Sequence, residues 1–195
     1  SWGDHCGADE IKHLSDLSKD LHKKKNVMLP PIFRADNKLQ INELLDIPLN
    51  DVEKKSSVSL INAIIKQRSV KSSEEIAEIK SALKITNLIH QKSMTSTSPG
   101  KYEYEIVAEM EEIIKSNAVN LAYPIIFTKN GQILHNSIYN NQIKDGDLLL
   151  NDSGANSLLH YASDITRTFP ANGKFTTQQK EIYLIVQEMQ ETVLK

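Results

Sequence analysis

The stretch from Asp147 to Thr176 reads DLLLNDSGANSLLHYASDITRTFPANGKFT and holds two aspartates, Asp152 and Asp164, each set in strand-like sequence. Aspartate is depleted in strands, because a buried carboxylate loses hydration worth several kcal/mol unless something compensates it. Asp152 closely follows Leu148-Leu149-Leu150, which argues for a buried setting, and Asp164 opens the alternating run Asp164-Ile165-Thr166-Arg167-Thr168-Phe169. Alternation puts Asp164, Thr166 and Thr168 on one face. If residues 153–163 turn the chain back, the two carboxylates can meet across neighbouring strands. Two anions that close repel unless a cation or a shared proton lies between them. Hard oxygen ligands suit magnesium, manganese and similar divalent ions. Spacing alone favours a plainer account, with Asp152 a turn residue before Ser153-Gly154 and Asp164 paired with Arg167 or Lys174.

The elements that must position this pair change character along the chain. Ala8 to Lys19 has helical spacing, with Ile11, Leu14 and Leu17 on one stripe. Asn26 to Leu29 reads as a short strand ended by Pro30-Pro31, and Lys38 to Leu45 as a short helix closed off before Pro48. Residues 1–50 hold little apolar mass for a core of their own. A connecting helix follows through Leu60, Ile61, Ile64 and Ile65. Ser72 with Glu75 forms a capping box that starts a strong helix carrying Ile76, Ile79, Leu83, Thr86 and Ile89. His90 is expected at its edge, in solvent or a satisfied contact. Ser98-Pro99-Gly100 stops that helix, and a second begins near Tyr102, burying Ile106, Val107, Met110, Ile113 and Ile114.

Beyond Asn120 the period shortens towards two. Leu121 to Phe127 and Gln132 to Asn136 are strand candidates around the turn Lys129-Asn130-Gly131, and a further turn at Lys144–Asp147 leads into the leucines. A capped helix after Thr176, with Gln179 as partner, carries the stripe Ile182, Ile185, Met189 and Val193. Two helices followed by hairpin-connected strands indicate an α+β fold with a largely antiparallel sheet.

A net charge of -2 provides no electrostatic reason for nucleic acid or an anionic membrane as partner. The run Lys23-Lys24-Lys25 reads as a solvated helix end. No apolar run reaches the roughly 18 residues of a membrane span. A single cysteine, Cys6, cannot form an internal disulfide, which makes a reducing, cytoplasmic location the default. The N-terminus shows neither a signal pattern nor an initiator Met, so a trimmed chain is expected.

The flanking motifs reweight the aspartates. Ser163–Thr176, SDITRTFPANGKFT, closely resembles the Xaa-Pro aminopeptidase and prolidase branch of the pita-bread metallopeptidases. In that family an Asp-Ala-Gly strand and a later Asp-Ile-Thr-Arg-Thr-Phe strand supply two ligands of a dinuclear metal centre. The matching positions here are Asp152, in Asp152-Ser153-Gly154, and Asp164. RSVKSSEEI from Arg68 to Ile76 resembles the start of its catalytic domain, and SPGKYEYE from Ser98 to Glu105 its turn between the first two helices. Ile133-Leu134-His135 is similar to the strand bearing its active-site histidine, and Leu29-Pro30-Pro31 with Arg34-Ala35 to its N-terminal domain.

The resemblance implies a fold and a division of the chain. Residues 68–195 would be the first half of a pita-bread (creatinase/aminopeptidase-like) domain, preceded at 1–67 by the tail of a smaller α/β domain and a connecting helix. It also implies an activity for the parent protein: release of the N-terminal amino acid from peptides with proline in second position. Two divalent ions, manganese by expectation, would be held by Asp152 and Asp164. His135 would serve in catalysis, donating a hydrogen bond in the substrate cleft, and Thr166 would support a ligand from behind. A homo-oligomer is the expected parent assembly.

Three departures accompany these implications. The spacing from Asp152 to Asp164 is about one residue longer than is common, and Ser153 replaces the usual alanine. After Asp164 there is no histidine, and the only acids are Glu181, Glu188 and Glu191, at solvent-face spacing on a helix. The family's remaining ligands, a histidine and two glutamates, are therefore not supplied here, and this chain alone is expected to be inactive. A Xaa-Pro dipeptidase, a catalytically silent pita-bread binding module and a metal-free creatinase-like hydrolase remain as alternatives.

Overall fold

A computed structural model describes residues 9–24 and 26–194. Cys6, Ala8 and Lys25, on which some expectations rested, lie outside the described residues. The chain forms two compact units, one ending at Lys71 and one running from Ser72 to Lys195.

In the first unit a 3-10 turn, Leu14–Asp16, leads into helix α1, Leu17–His22, and α2 spans Ala35–Leu45. Leu29, Ile32 and Val52 are buried together, with Ile41, Leu45 and Ile47 packed against them. The strand expected at Asn26 to Leu29 is reduced to one parallel bridge between Leu29 and Ser56, because Pro30-Pro31 follows at once. Helix α3, Val58–Ser69, starts at Ser57, whose hydroxyl accepts the Leu60 amide.

The second unit opens with α4, Ser73–Ser96, and α5, Glu103–Ser116. The Ser72–Glu75 capping box is formed in both directions, at 3.3 and 2.7 Å. Gly100 reverses the chain between the helices at φ 98, a conformation that costs a residue with a Cβ. The buried stripe of α4 is Ala82, Thr86, Ile89, His90 and Ser93, of which Thr86 and Ile89 lie on the stripe expected, while Ile76 is exposed. Ile106, Val107, Met110 and Ile114 of α5 join Ile89, Ile125, Phe127, Ile143 and Leu149 in the core.

The strands are antiparallel throughout. Strand β2 (Ile126–Thr128), β3 (Leu148–Ser153) and β5 (Ile165–Pro170) form one sheet in that order, and β1 (Asn120–Leu121) pairs with β4 (Ala155–Asn156). The single strand expected from Leu121 to Phe127 is two pieces, parted at Tyr123-Pro124, since proline cannot join the ladder. Gln132 to Asn136 is not a strand. It is a turn in which the Ile133 amide bonds to the Asn130 carbonyl, Leu134 is exposed, and His135 takes φ 56, outside strand geometry. Helix α6, Thr177–Val193, carries the expected Thr176–Gln179 box, and Ile182, Ile185, Met189 and Val193 are exposed in this chain. Among the described residues no helix is long and apolar enough to cross a membrane.

Candidate metal centre

Asp152 is not a turn residue. It sits inside β3, paired with Ile126 on one side and Thr166 on the other. Asp164 immediately precedes β5, two residues before Thr166, so the two carboxylates are diagonal neighbours on one face of adjacent strands. Such positions lie about 7–8 Å apart between Cα atoms, within reach of converging side chains. The alternative pairing of Asp164 with Arg167 or Lys174 is not made among the described residues. Arg167 instead donates to the Thr166 carbonyl at 2.8 Å.

What stands between the carboxylates is the hydroxyl of Tyr123, 2.6 Å from Asp152 Oδ1 and 2.7 Å from Asp164 Oδ1. A phenol has one proton to donate, so it satisfies one carboxylate at a time. Burial, and then the hydrogen bonds to Asp152 and Asp164, push the Tyr123 pKa well above its ordinary value, so it stays a donor. Two anions around a single proton are short of positive charge, the condition under which a divalent cation is favoured. Asp152 and Asp164 provide hard oxygen donors that fit such an ion. They do not complete a coordination shell: among the described residues no group of three or more His, Cys, Asp or Glu side chains converges.

The pair is held from beneath by a buried polar seam between α4 and the sheet. Asn151 and Ser153 flank Asp152 and, by strand alternation, point the opposite way, into α4. Asn151 Nδ2 donates to Ser93 Oγ at 2.8 Å and to His90 Nδ1 at 3.3 Å. Nδ1 is therefore the acceptor, and Nε2 carries the proton toward the Ser153 carbonyl at 3.4 Å. Burial lowers the His90 pKa, in keeping with that neutral tautomer. Under Asp164, Ser163 Oγ lies 2.6 Å from Thr86 Oγ1, and Thr86 also accepts the Ala155 amide at 2.9 Å. An apolar helix–sheet contact could slide, whereas these matched donors and acceptors admit one register. His90 thus makes a satisfied contact, buried and not in solvent.

Gly154 lets the strands come this close. A Cβ there would lie 1.8 Å from the Ser163 carbonyl oxygen. Between the aspartates the chain turns at Ser157–Tyr161, where the His160 amide bonds to the Ser157 carbonyl at 2.9 Å. The Tyr161 hydroxyl donates to Glu75 Oε1 at 2.9 Å.

Thr166 lies directly opposite Asp152 and is exposed. His135 is exposed on the loop after β2, and among the described residues no hydrogen bond joins it to either aspartate. The structure thus brings together Asp152, Asp164 and Thr166 and leaves His135 on a separate loop. Sequence reasoning missed Tyr123. The available signal was Pro124, which forbids an uninterrupted strand and frees the preceding residue to turn inward.

Residues 77–195 match Metallopeptidase family M24. The chain is 43% identical over 133 residues to Xaa-Pro aminopeptidase of Escherichia coli K12, covering 66% of this chain and 30% of that protein. It is 35% identical over 187 residues to a probable Xaa-Pro aminopeptidase of Podospora anserina, covering 93% of this chain and 39% of that protein. Among solved structures, a glutamate-to-alanine variant of E. coli aminopeptidase P in complex with substrate aligns with TM-score 0.78 at 31% identity, over 95% of this chain and 45% of that one. A zinc-substituted form of the same enzyme, in complex with product, aligns equally well at 32% identity. The chain therefore spans less than half the length of each of these relatives.

Proposed function

The chain belongs to metallopeptidase family M24, and on that premise we propose that its parent protein is a Xaa-Pro aminopeptidase. The reaction is hydrolysis of the first peptide bond of a substrate with proline in second position. The observation that carries this reading is the convergence of Asp152 and Asp164, from adjacent strands, on one hydroxyl.

Asp152 and Asp164 would hold a pair of divalent ions, manganese in this proposal, and Thr166 would steady Asp152 across the ladder. When bound, such ions acidify water and polarise the scissile carbonyl. Tyr123 would orient the carboxylates, its high pKa keeping the phenol proton in place. His135, an exposed ring on a loop, is suited to donate a hydrogen bond to the substrate or to the oxygen that gains charge as its carbonyl becomes tetrahedral. The zinc-substituted relative supports divalent metal chemistry in the family without selecting the metal here.

In the parent protein Asp164→Asn is expected to abolish turnover of a Xaa-Pro peptide, and a near wild-type rate would remove the assignment. The 195-residue chain, with two carboxylates at the site, is expected to bind manganese weakly. Tight binding by this chain in calorimetry would overturn that expectation.

A further inference from the structure

Glu103 is fully buried, yet the proposed chemistry does not use it. A buried carboxylate is costly unless its lone pairs are filled. Here both oxygens are engaged, and by opposite ends of one loop. Oε1 accepts the Lys129 amide at 2.9 Å, and Oε2 accepts Asn141 Nδ2 at 2.9 Å. The Glu103 amide in turn donates to the Asn141 carbonyl at 3.1 Å, and the Tyr104 amide to the Tyr139 carbonyl at 2.9 Å. Glu103 is the first residue of α5, where the helix dipole favours a negative charge.

The loop so closed runs from Lys129 to Asn141 and has no helix or strand of its own. Its tip is exposed at Ile133, Leu134 and Ile138, so burial does little to order it. His135 sits in that tip. Its fixed points are polar: Asn136 Nδ2 donates to the Phe127 carbonyl at 3.2 Å, Tyr139 donates to the Ile125 carbonyl, and Glu103 ties the two ends at the neck. There a main-chain N–H and a side-chain amide both donate, and two acceptors on one rigid group meet them. Alanine would leave both donors without an acceptor, whereas glutamine still offers its carbonyl to the Lys129 N–H and its NH2 to an Asn141 amide turned by half a rotation.

We propose that Glu103 is a positioning residue, a buried clamp that closes the neck of this loop and thereby fixes where His135 stands relative to the strands of Asp152 and Asp164. The link to catalysis rests on the reading of His135 given above, whereas the clamp itself does not.

The test compares Glu103→Ala, Asn141→Ala and Glu103→Gln. In the 195-residue chain, Glu103→Ala is expected to raise amide hydrogen exchange at Lys129 and across residues 130–140 by about tenfold or more, as for one or two lost buried hydrogen bonds. Asn141→Ala, which removes one arm only, serves if Glu103→Ala fails to fold, and is expected to raise exchange toward the Asn141 end. Glu103→Gln keeps an acceptor for Lys129 and a partner for a turned Asn141 amide, and is expected to hold exchange within about threefold of wild type. Loss of any buried side chain affects overall stability, but loosening confined to this loop and rescued by glutamine would not follow from a merely structural role. Unchanged exchange over 130–140 in Asn141→Ala or in a folded Glu103→Ala, or exchange in Glu103→Gln as fast as in Glu103→Ala, overturns the clamp. In the parent protein, kcat on a Xaa-Pro peptide should fall with Glu103→Ala and be rescued by Glu103→Gln. A loosened loop with unchanged kcat overturns the positioning role. Full turnover in His135→Ala would instead fault the reading of His135 and leave the clamp standing.

Discussion

Gly154→Ala is the sharpest test of how the carboxylates are brought together. The added methyl would sit 1.8 Å from the Ser163 carbonyl oxygen and 2.7 Å from its carbon, where real contacts of this kind stay above 3.0 Å. Both obstacles are main chain, so no side-chain rotation relieves them, and the strands must part by more than about 1 Å, at an overpacking cost of about 1–3 kcal/mol. Parting them disturbs the bonds that Ser163 makes to Ala155, at 3.0 Å from its amide and 2.9 Å from its hydroxyl, and to Thr86. Losing one or two of these adds about 0.5–1.5 kcal/mol each, against a gain of about 0.4–1 kcal/mol from reduced freedom in the unfolded chain. The net expectation is a loss of about 3 kcal/mol. Urea unfolding, followed through amide signals of residues 149–156 and 162–168, measures it. Gly131→Ala is the control, because its Cβ would meet only the Leu150 side chain, at 3.4 Å, and should change stability by less than about 1 kcal/mol. A Gly154→Ala variant within 1 kcal/mol of wild type would refute the close approach.

Tyr123→Phe removes the hydroxyl shared by the aspartates and should cost about 1.5–3 kcal/mol at neutral pH, the range for a hydrogen bond to a charged group. Unchanged urea unfolding would show that the phenol does not hold the pair. His90 yields a pH dependence whose sign follows from its lowered pKa. Below about pH 6.5 the unfolded histidine takes up a proton that the folded one refuses, so the stability it contributes is present above that pH and lost as pH falls. The slope is at most about 1.4 kcal/mol per pH unit, and His90→Gln should flatten it. It is to be read in signals of the unit from Ser72 to Lys195, since the Ser18 carbonyl, and then Asp46, raise the pKa of His22 in the other unit. A slope that His90→Gln leaves intact would show that the seam does not hold the neutral ring.

The helices of the second unit were legible because their signals are local. Ser72 with Glu75, and Thr176 with Gln179, close their boxes within three residues. Gly100 and the prolines act on their immediate neighbours in the same way. The strand expected at Gln132 to Asn136 failed because alternation there is overruled by the Asn130–Ile133 turn, the left-handed His135 and the clamp at Glu103. The partners of Thr86, and the burial of His90 and Ser93, were hard to read for a related reason. A polar residue on a helix belongs to solvent until a partner such as Asn151 or Ser163 is brought to it from far along the chain.

The candidate site divides along the same line. From residue types, alternation and the flanking motifs, the sequence by itself singled out Asp152 and Asp164 as candidates and determined the family to which the chain belongs. Only the tertiary structure decided that Asp152 and Asp164 lie diagonally across one ladder, that Gly154 and the seam below hold them there, and that Tyr123 stands between them. Tyr123 is 29 and 41 residues from its two partners. No local preference of the chain encodes a contact of that span. It exists because the packed core fixes the register of β3 and β5 and turns the break at Pro124 inward.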